Sequence, residues 1–431
     1  MHVHLIGIGG IGISALAQLY VHQGHRVSGT NDSESPQTLD RVRALGVPIS
    51  CTVSVDEIPR DVDLFVYSDA WLSRAPTFME AVRALGTPTM SYFQALGDAT
   101  REGRSVIITG THGKTTTTAI IAKVLTDIGE DPTVVCGSIM TEFGSNFRAG
   151  RPDLFVVEGC EYMRHFLHLH PYVLTVNNLE LDHTDYFKDL ADVQDAFRTL
   201  VSSVPEEGVV VTNTDLPNVG PVVRGVRACV VPYQQVPVPV LRVPGAFNRA
   251  NAQAAKAAVR ALCPTADEAA LDRSLADFAG TWRRFEYKGV TPEGALVYDD
   301  YAHHPSAVEV TIAMACESFP DKRLVVVFHP HLFSRTRDFM DLFATTLSKA
   351  DEVLLAPIYP AREEPIMGVT SGVLAEKIVA LGTPARAYSS FEEIVAYLTR
   401  NTTPRSHDLV LTMGAGDVYE VADTLVAGER S

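Results

Sequence analysis

The chain has 431 residues, of which 46% are hydrophobic and 20% charged, and its formal net charge is −16. At roughly 100–200 residues per domain, this length implies about two to four folded domains and excludes a single small binding module. The acidic balance, with no basic stripe to offset it, argues against a nucleic-acid partner. It does not argue against phosphorylated small molecules, which backbone N–H groups can hold whatever the total charge.

In chain order, Val3–Ile8 predicts a strand, Ile11–His22 a helix, Arg26–Gly29 a second strand and Leu64–Ser68 a later one. Short β-rich runs separated by helix-length stretches imply a parallel sheet covered by helices. This first segment is expected to end near Leu96–Arg104, where the chain turns polar. A second α/β run opens at Ser105–Thr109, followed by a glycine-rich turn and a helix over Thr116–Ile128. Further strands are expected at Leu154–Glu158 and Val173–Asn177, short strands or loop over Val230–Pro244, and an alanine-rich helix over Asn248–Leu262. The pattern changes at Gly280–Pro292, and strands are then expected at Leu296–Tyr298, Leu324–Phe328, Val353–Ala356 and Leu409–Met413. The economical reading is three α/β domains, over residues 1–97, 98–285 and 286–431.

The six cysteines form no CxxC pair and no His/Cys cluster, so free thiols are expected rather than disulfides or a zinc site. No apolar run approaches the roughly 20 residues of a membrane span. The glycine-laced start lacks the basic region of a signal peptide. A cytoplasmic enzyme, with no membrane partner, is the expectation.

The strongest motif is Thr109-Gly-Thr-His-Gly-Lys-Thr-Thr-Thr, between a predicted strand and a predicted helix. Such a turn offers phosphate the backbone N–H groups of Gly110, Thr111, His112 and Gly113 and the helix N-terminus at Thr116. Lys114 would reach the β/γ-phosphates and the Thr115 hydroxyl would ligate Mg²⁺. The full P-loop pattern would need Gly where this chain has Ile108, so the match is to a shortened variant. A second glycine loop, Gly7-Ile-Gly-Gly-Ile-Gly12, sits between the first strand and helix; it suits a dinucleotide, a sugar nucleotide or tight packing alone. The acidic candidate after the next strand is Asp32, preceded by Asn31. Glu158 and His183, at predicted strand ends, could hold Mg²⁺ near the Lys114 loop. One arginine of Trp282-Arg-Arg284-Phe could meet a nucleotide phosphate. Asp299-Asp-Tyr-Ala-His303-His304 and His329-Pro-His331-Leu-Phe-Ser-Arg335 follow strands, where open α/β sheets bind ligands.

Together these motifs resemble the Mur ligase family, the ATP-dependent amide-forming ligases of peptidoglycan synthesis. The resemblance runs the length of the chain, through GIGGIG, GTHGKTTTT, EGCEY, NNLELDHTDYF, GAFNRANA, RRFE, DDYAHHP, HPHLFSRTRD and MGAGD. It implies a Rossmann-like N-terminal domain holding a UDP-sugar, a central P-loop domain holding ATP, and a Rossmann-like C-terminal domain holding nucleotide and amino acid. The implied substrates are UDP-N-acetylmuramate and L-alanine, with ATP and Mg²⁺. Lys114, Glu158, His183 and Arg284 take the catalytic positions, and Thr115, Glu158 and His183 the metal positions. Asn248, Asn251, Asp300 and His304 fall at the nucleotide. Gly7, Gly9, Gly10, Ile11, Gly12, Asn31, Asp32 and Ser68 fall at the sugar nucleotide, and His331 and Arg335 at the amino acid. A monomer or homodimer is expected. Leu332 stands where many relatives have Arg, leaving Arg335 to grip the amino-acid carboxylate. No lysine fits the carbamoylated position of several relatives, and the helix after His183 offers Arg198 instead. Three other readings stay open: a ligase that joins a tripeptide to the same sugar nucleotide, a nicotinamide-dependent oxidoreductase built on GIGGIG, and a non-catalytic nucleotide-sensing relative, against which Lys114, Glu158 and His183 speak.

Overall fold

The computed structural model describes residues 1–34, 36–183, 186–360, 363–400 and 406–427. Three mostly parallel sheets with helices on their faces organise the chain, as the alternation of strand and helix signals predicts. The first sheet contains β1 (His2–Ile6), β2 (Arg26–Thr30), β3 (Ile49–Ser50), β4 (Leu64–Tyr67) and β5 (Thr89–Ser91), all paired in parallel in the order β3-β2-β1-β4-β5. β1 is buried along its whole length, the pattern of a strand covered on both faces.

The second sheet is built from β6 (Arg104–Thr109), β7 (Pro132–Met140), β8 (Ser145–Arg148), β9 (Arg151–Glu158), β10 (Val173–Val176), β11 (Val209–Thr212) and β12 (Cys229–Pro232). Its order is β12-β11-β10-β6-β9-β7-β8, with only the β7–β8 pair antiparallel. β6 therefore lies between β9 and β10, with Ile108 opposite Glu158 and Thr109 opposite Val176. This register sets the glycine loop that leaves β6 between Glu158 on one side and Asn177 on the other.

The third sheet orders β13 (Glu286–Val290), β14 (Leu296–Asp300), β15 (Arg323–Phe328), β16 (Glu352–Leu355), β17 (Ala385–Ala387) and β18 (Asp408–Met413) as β13-β14-β18-β15-β16-β17. Only β13, which the sequence pattern did not reveal, runs antiparallel to its neighbour. Between Pro232 and Ala246 the Pro/Val-rich stretch forms no further strand.

The chain divides into two compact units. One holds Met1–Val243 with Phe247–Ala279, and the other Pro244–Ala246 with Gly280–Ser431. The first two sheets thus share a unit, and a single hydrophobic cluster runs from Val3 and Leu16 through Leu96, Phe166 and Phe197 to Ala228. The helix Tyr92–Ala99 lies so close to the turn Tyr162–His168 that a Cβ on Gly97 would come 2.1 Å from the carbonyl oxygen of His168. From the second sheet, Asn146 donates to the carbonyl of Ile11 and receives a hydrogen bond from Gln18, both in the helix Ile11–His22. Among the described residues, no helix is long and apolar enough to cross a membrane.

Candidate active site

The loop after β6 has the geometry its glycines suggest. Gly110 (φ 129°) and Gly113 (φ 80°) adopt backbone conformations that favour glycine, and the helix Lys114–Asp127 starts directly after Gly113. Lys114 folds back over the loop, donating to the carbonyls of Gly110 (2.7 Å) and Thr111 (3.2 Å) and to the Glu161 carboxylate at 2.9 Å. Burial works against the Lys114 ammonium, but Glu161, with Cys160 and Glu158 nearby, outweighs it and holds the pKa above the usual lysine value. Glu161 is 3% exposed, and although burial opposes its charge, Lys114 and His183 hold its pKa below the usual carboxylate range. A half-buried lysine on a buried carboxylate, with backbone N–H groups around it, is suited to receive a phosphate that takes over the lysine.

Two groups of oxygen donors flank this loop. Glu158, at the end of β9, accepts from the Thr115 hydroxyl (2.9 Å) and the Gly137 N–H (2.7 Å). A Cβ on Gly137 would meet that carboxylate at 2.8 Å, so glycine is needed for the approach. Glu161, Asp182 and His183 form the second group, with one ligand atom from each within 4.8 Å of the others. His183 Nε2 lies 3.5 Å from Glu161, and His183 holds a left-handed φ of 51°. Burial lowers the His183 pKa, but the bonded Glu161 and the charge of Asp182 raise it further than burial lowers it. The structure thus puts Thr115 with Glu158 and His183 with Glu161. Sequence reasoning did not single out Glu161 or Asp182, although Glu161 lies in the same short segment as Glu158. Thr184 and Asp185, from the same motif as His183, lie outside the described residues.

Asparagines form the rest of the wall. His112 N–H donates to Asn178 Oδ1 at 2.8 Å, and Asn177 Nδ2 donates to Thr117 at 3.0 Å. On the helix Ala246–Leu262, Asn248 and Asn251 are both buried. Asn251 presses so close that a Cβ on Gly113 would sit 2.3 Å from its Oδ1, and its Nδ2 has no hydrogen-bond partner among the described residues. A buried amide N–H₂ without a partner, beside a phosphate-type loop, is a ready donor for a bound nucleotide.

At the first sheet, the loop after β1 is braced from within. Gly9 N–H donates to Asn31 Oδ1 (3.1 Å), Asn31 Nδ2 donates to the Ser33 carbonyl (2.7 Å), and the Thr38 hydroxyl donates to the Gly9 carbonyl (2.6 Å). Asn31 therefore holds the loop's shape with both ends of its side chain, while Asp32 pairs with Arg74 at 2.8 Å. Gly10 is exposed and Gly12 half-buried, with Ile11 between them. A Cβ on Gly12 would meet the Tyr92 ring at 2.9 Å. Ser68, at the end of β4, donates its N–H to the Ile6 carbonyl beside this loop.

The second compact unit carries a separate cluster. Arg283, 2% exposed, is locked by Asp299 (2.8 Å) and by the carbonyls of Gly416 (2.6 Å) and Gly414 (2.5 Å). Its neighbour Arg284 is half-buried, with its guanidinium 5.6 Å from the Tyr301 ring centre. Of the two arginines it is Arg284, then, that can meet a ligand. Asp300 accepts from the N–H groups of Phe285 (2.7 Å) and Ala302 (2.8 Å), and burial raises its pKa. His304 bonds Ser306 through Nδ1 at 2.9 Å. His331 stacks on Tyr359 at 5.5 Å, meets His303 edge-on at 5.7 Å, and lies 3.2 Å from Arg335 Nη1. Burial, chiefly, lowers the His303 pKa to about 3, so it faces this cluster as a neutral ring. Leu332 (φ 69°) makes the turn that brings His331 and Arg335 together. An arginine beside an oriented imidazole suits a carboxylate.

Three family models cover most of the chain: the Mur ligase catalytic domain over residues 2–104, the Mur ligase middle domain over 108–226, and the Mur ligase glutamate ligase domain over 283–416. The UDP-N-acetylmuramate–L-alanine ligase of Lachnospira eligens is 36% identical, over 99% of this chain and 98% of that protein. Its counterpart from Desulfitobacterium hafniense is 38% identical, over 99% of both. Among solved structures, the UDP-N-acetylmuramate–alanine ligase of Thermotoga maritima superposes with a TM-score of 0.81 at 26% identity, covering 99% of this chain and 98% of that one. Full-length identity of this order, three models in chain order, and a phosphate loop flanked by two oxygen-donor groups agree: the chain belongs to the Mur ligase family.

Proposed function

We propose that this protein is an ATP-dependent ligase that joins L-alanine to the lactyl carboxylate of UDP-N-acetylmuramate, for peptidoglycan precursors made in the cytoplasm. The full-length match to relatives bearing that activity as their name carries this reading. The carboxylate oxygen attacks the γ-phosphorus of ATP, the bond to ADP breaks, and an acyl phosphate forms. The alanine amine then attacks the acyl carbon, phosphate leaves, and the amine proton is lost to solvent or a base. Such phosphoryl transfer depends on positioning and charge neutralisation.

We assign residues 1–97 to the sugar nucleotide, 98–285 to ATP and 286–431 to nucleotide and amino acid. Lys114 and the N–H groups of Gly110, Thr111, His112, Gly113, Thr115 and Thr116 would hold the ATP phosphates, and Asn248 and Asn251 its nucleoside. Arg284 would neutralise charge at the transferring phosphoryl group, with Asp300 and His304 at the nucleotide. The loop Gly7–Gly12, with Asp32 and Ser68, would hold UDP, and Asn31 would keep that loop in shape. Arg335 would grip the alanine carboxylate with His331 beside it.

The donor sets fit Mg²⁺: Thr115 and Glu158 supply hard oxygens, and Glu161, Asp182 and His183 supply two carboxylates and an imidazole within 4.8 Å. Bound there, Mg²⁺ would neutralise phosphate charge.

The test is ADP release with UDP-N-acetylmuramate and L-alanine, other amino acids or the tripeptide. We expect L-alanine to be preferred. Turnover with the tripeptide alone, or tight NAD(H) binding without ATP turnover, would overturn the reading.

A further inference from the structure

The strand order of the first sheet reverses between β1 and β4, and the second sheet branches on either side of β6. Ligands of open α/β sheets bind in the crevices outside the carboxyl ends of strands at such points. Asp69 follows β4 in the first crevice, and His165 lies in the turn that follows β9 in the second. Their side chains meet: His165 Nε2 is 2.9 Å from Asp69 Oδ2, with side-chain exposures of 13% and 23%. The imidazole also stacks on Phe93, with ring centres 4.3 Å apart and planes within 15°. Tyr162 lies edge-on to it and continues to His183 at 4.8 Å. Two consecutive left-handed residues, Met163 (φ 50°) and Arg164 (φ 58°), shape the turn that presents this ring. Strain of this kind persists only where the surroundings over-determine it.

His165 is thus held on one face and at Nε2, while among the described residues nothing bonds Nδ1. A carboxylate beside Nε2 favours the tautomer that carries its hydrogen there, which leaves Nδ1 as an acceptor. Under the proposed function, the substrate must reach from the first glycine loop to the Lys114 loop, so the stretch between uridine and carboxylate crosses this pair. The diphosphate has only acceptors to offer, whereas an N-acetylated amino sugar has hydroxyl and amide N–H donors. We propose that His165, positioned by Asp69 and Phe93, accepts a hydrogen bond from the amino sugar of the nucleotide substrate and discriminates it from the bare nucleoside diphosphate. This assignment rests on the functional reading above.

Calorimetric titration of the full chain with UDP-N-acetylmuramate and with UDP tests it. His165→Phe keeps an aromatic ring over Phe93 but loses both nitrogens. It should bind the sugar nucleotide about five- to tenfold more weakly, the loss of one neutral hydrogen bond, and UDP within about twofold of the parent. His165→Asn, whose amide oxygen can occupy the Nδ1 position, should recover part of that loss. Unchanged sugar-nucleotide affinity in His165→Phe, or an equal loss for UDP, would overturn the assignment while leaving the ligase reading intact. Failure of the parent protein to bind UDP-N-acetylmuramate would overturn the functional reading and this assignment with it.

Discussion

At the scale of single residues, the Lys114–Glu161 pair is where the proposed activity and the stability of the fold meet. Replacing Lys114 with Ala should abolish turnover, and it should also cost about 3 kcal/mol, because the buried Glu161 carboxylate would lose its ammonium partner and keep only His183 at 3.5 Å. Lys114→Gln with Glu161→Gln should regain most of that stability in urea unfolding without regaining ADP release. A different pH response comes from two histidines the site does not use. Burial, first, and then neighbouring positive charge lower the pKa of His4 and of His329 to about 4. The unfolded chain, whose histidines titrate near 6.5, therefore binds more protons between those values. Stability should be full above that window and fall as the pH drops through it, by about 2 kcal/mol per residue from pH 7 to pH 5. Urea unfolding at the two pH values, with His4→Gln as comparison, measures it. A flat response in the parent would contradict the burial argument.

At the scale of elements, the phosphate loop shows what a sequence can carry. A strand, glycines at fixed places and a helix start are local features, so the Lys114 loop could be placed without tertiary information. Glu161 could not, because its role depends on β9 lying beside β6 and on the chain turning back after Glu158. The same holds for Asp182; between Arg283 and Arg284 the family resemblance points to Arg284, and the buried partner Asp299 of Arg283 supplies the physical reason. β13 escaped notice because Tyr287, Lys288 and Gly289 in an edge strand do not form an apolar run. Gly97 gives this scale its own prediction. Ala there must displace the His168 carbonyl, so Gly97→Ala should lower stability by about 1–3 kcal/mol by overpacking. Gly220→Ala, also in a helix and with an ordinary backbone conformation, where no atom lies within 4 Å, controls for the general cost of replacing a glycine. Equal losses in the two variants would sink the contact argument.

At the scale of the molecule, the −16 charge means that the proposed anion binding would rest on local devices: glycine loops, Lys114, Arg284 and Arg335. Saturating ATP should raise stability by about 2.7 kcal/mol at a hundredfold excess over its dissociation constant. Lys114→Gln should erase most of that gain in a thermal-shift titration, and an undiminished shift would place ATP elsewhere. The expected boundary at residue 97 falls inside one compact unit, since apolar surfaces of the first two sheets merge into a cluster that no local pattern announces.

That merged cluster has a consequence for biosynthesis. The first sheet and its helices leave the ribosome complete, but the helices Ile11–His22 and Tyr92–Ala99 are still uncovered on the side that joins the cluster, because Phe166, Phe197 and Ala228 are still to be made. At about 5–20 residues per second the gap lasts on the order of ten seconds. During that interval the nascent chain shows sticky surface on Leu16 and Leu96, a target for ribosome-associated chaperones. Translation stalled just after the first sheet should therefore yield aggregates, whereas stalling past Ala279 should release a soluble, protease-resistant product.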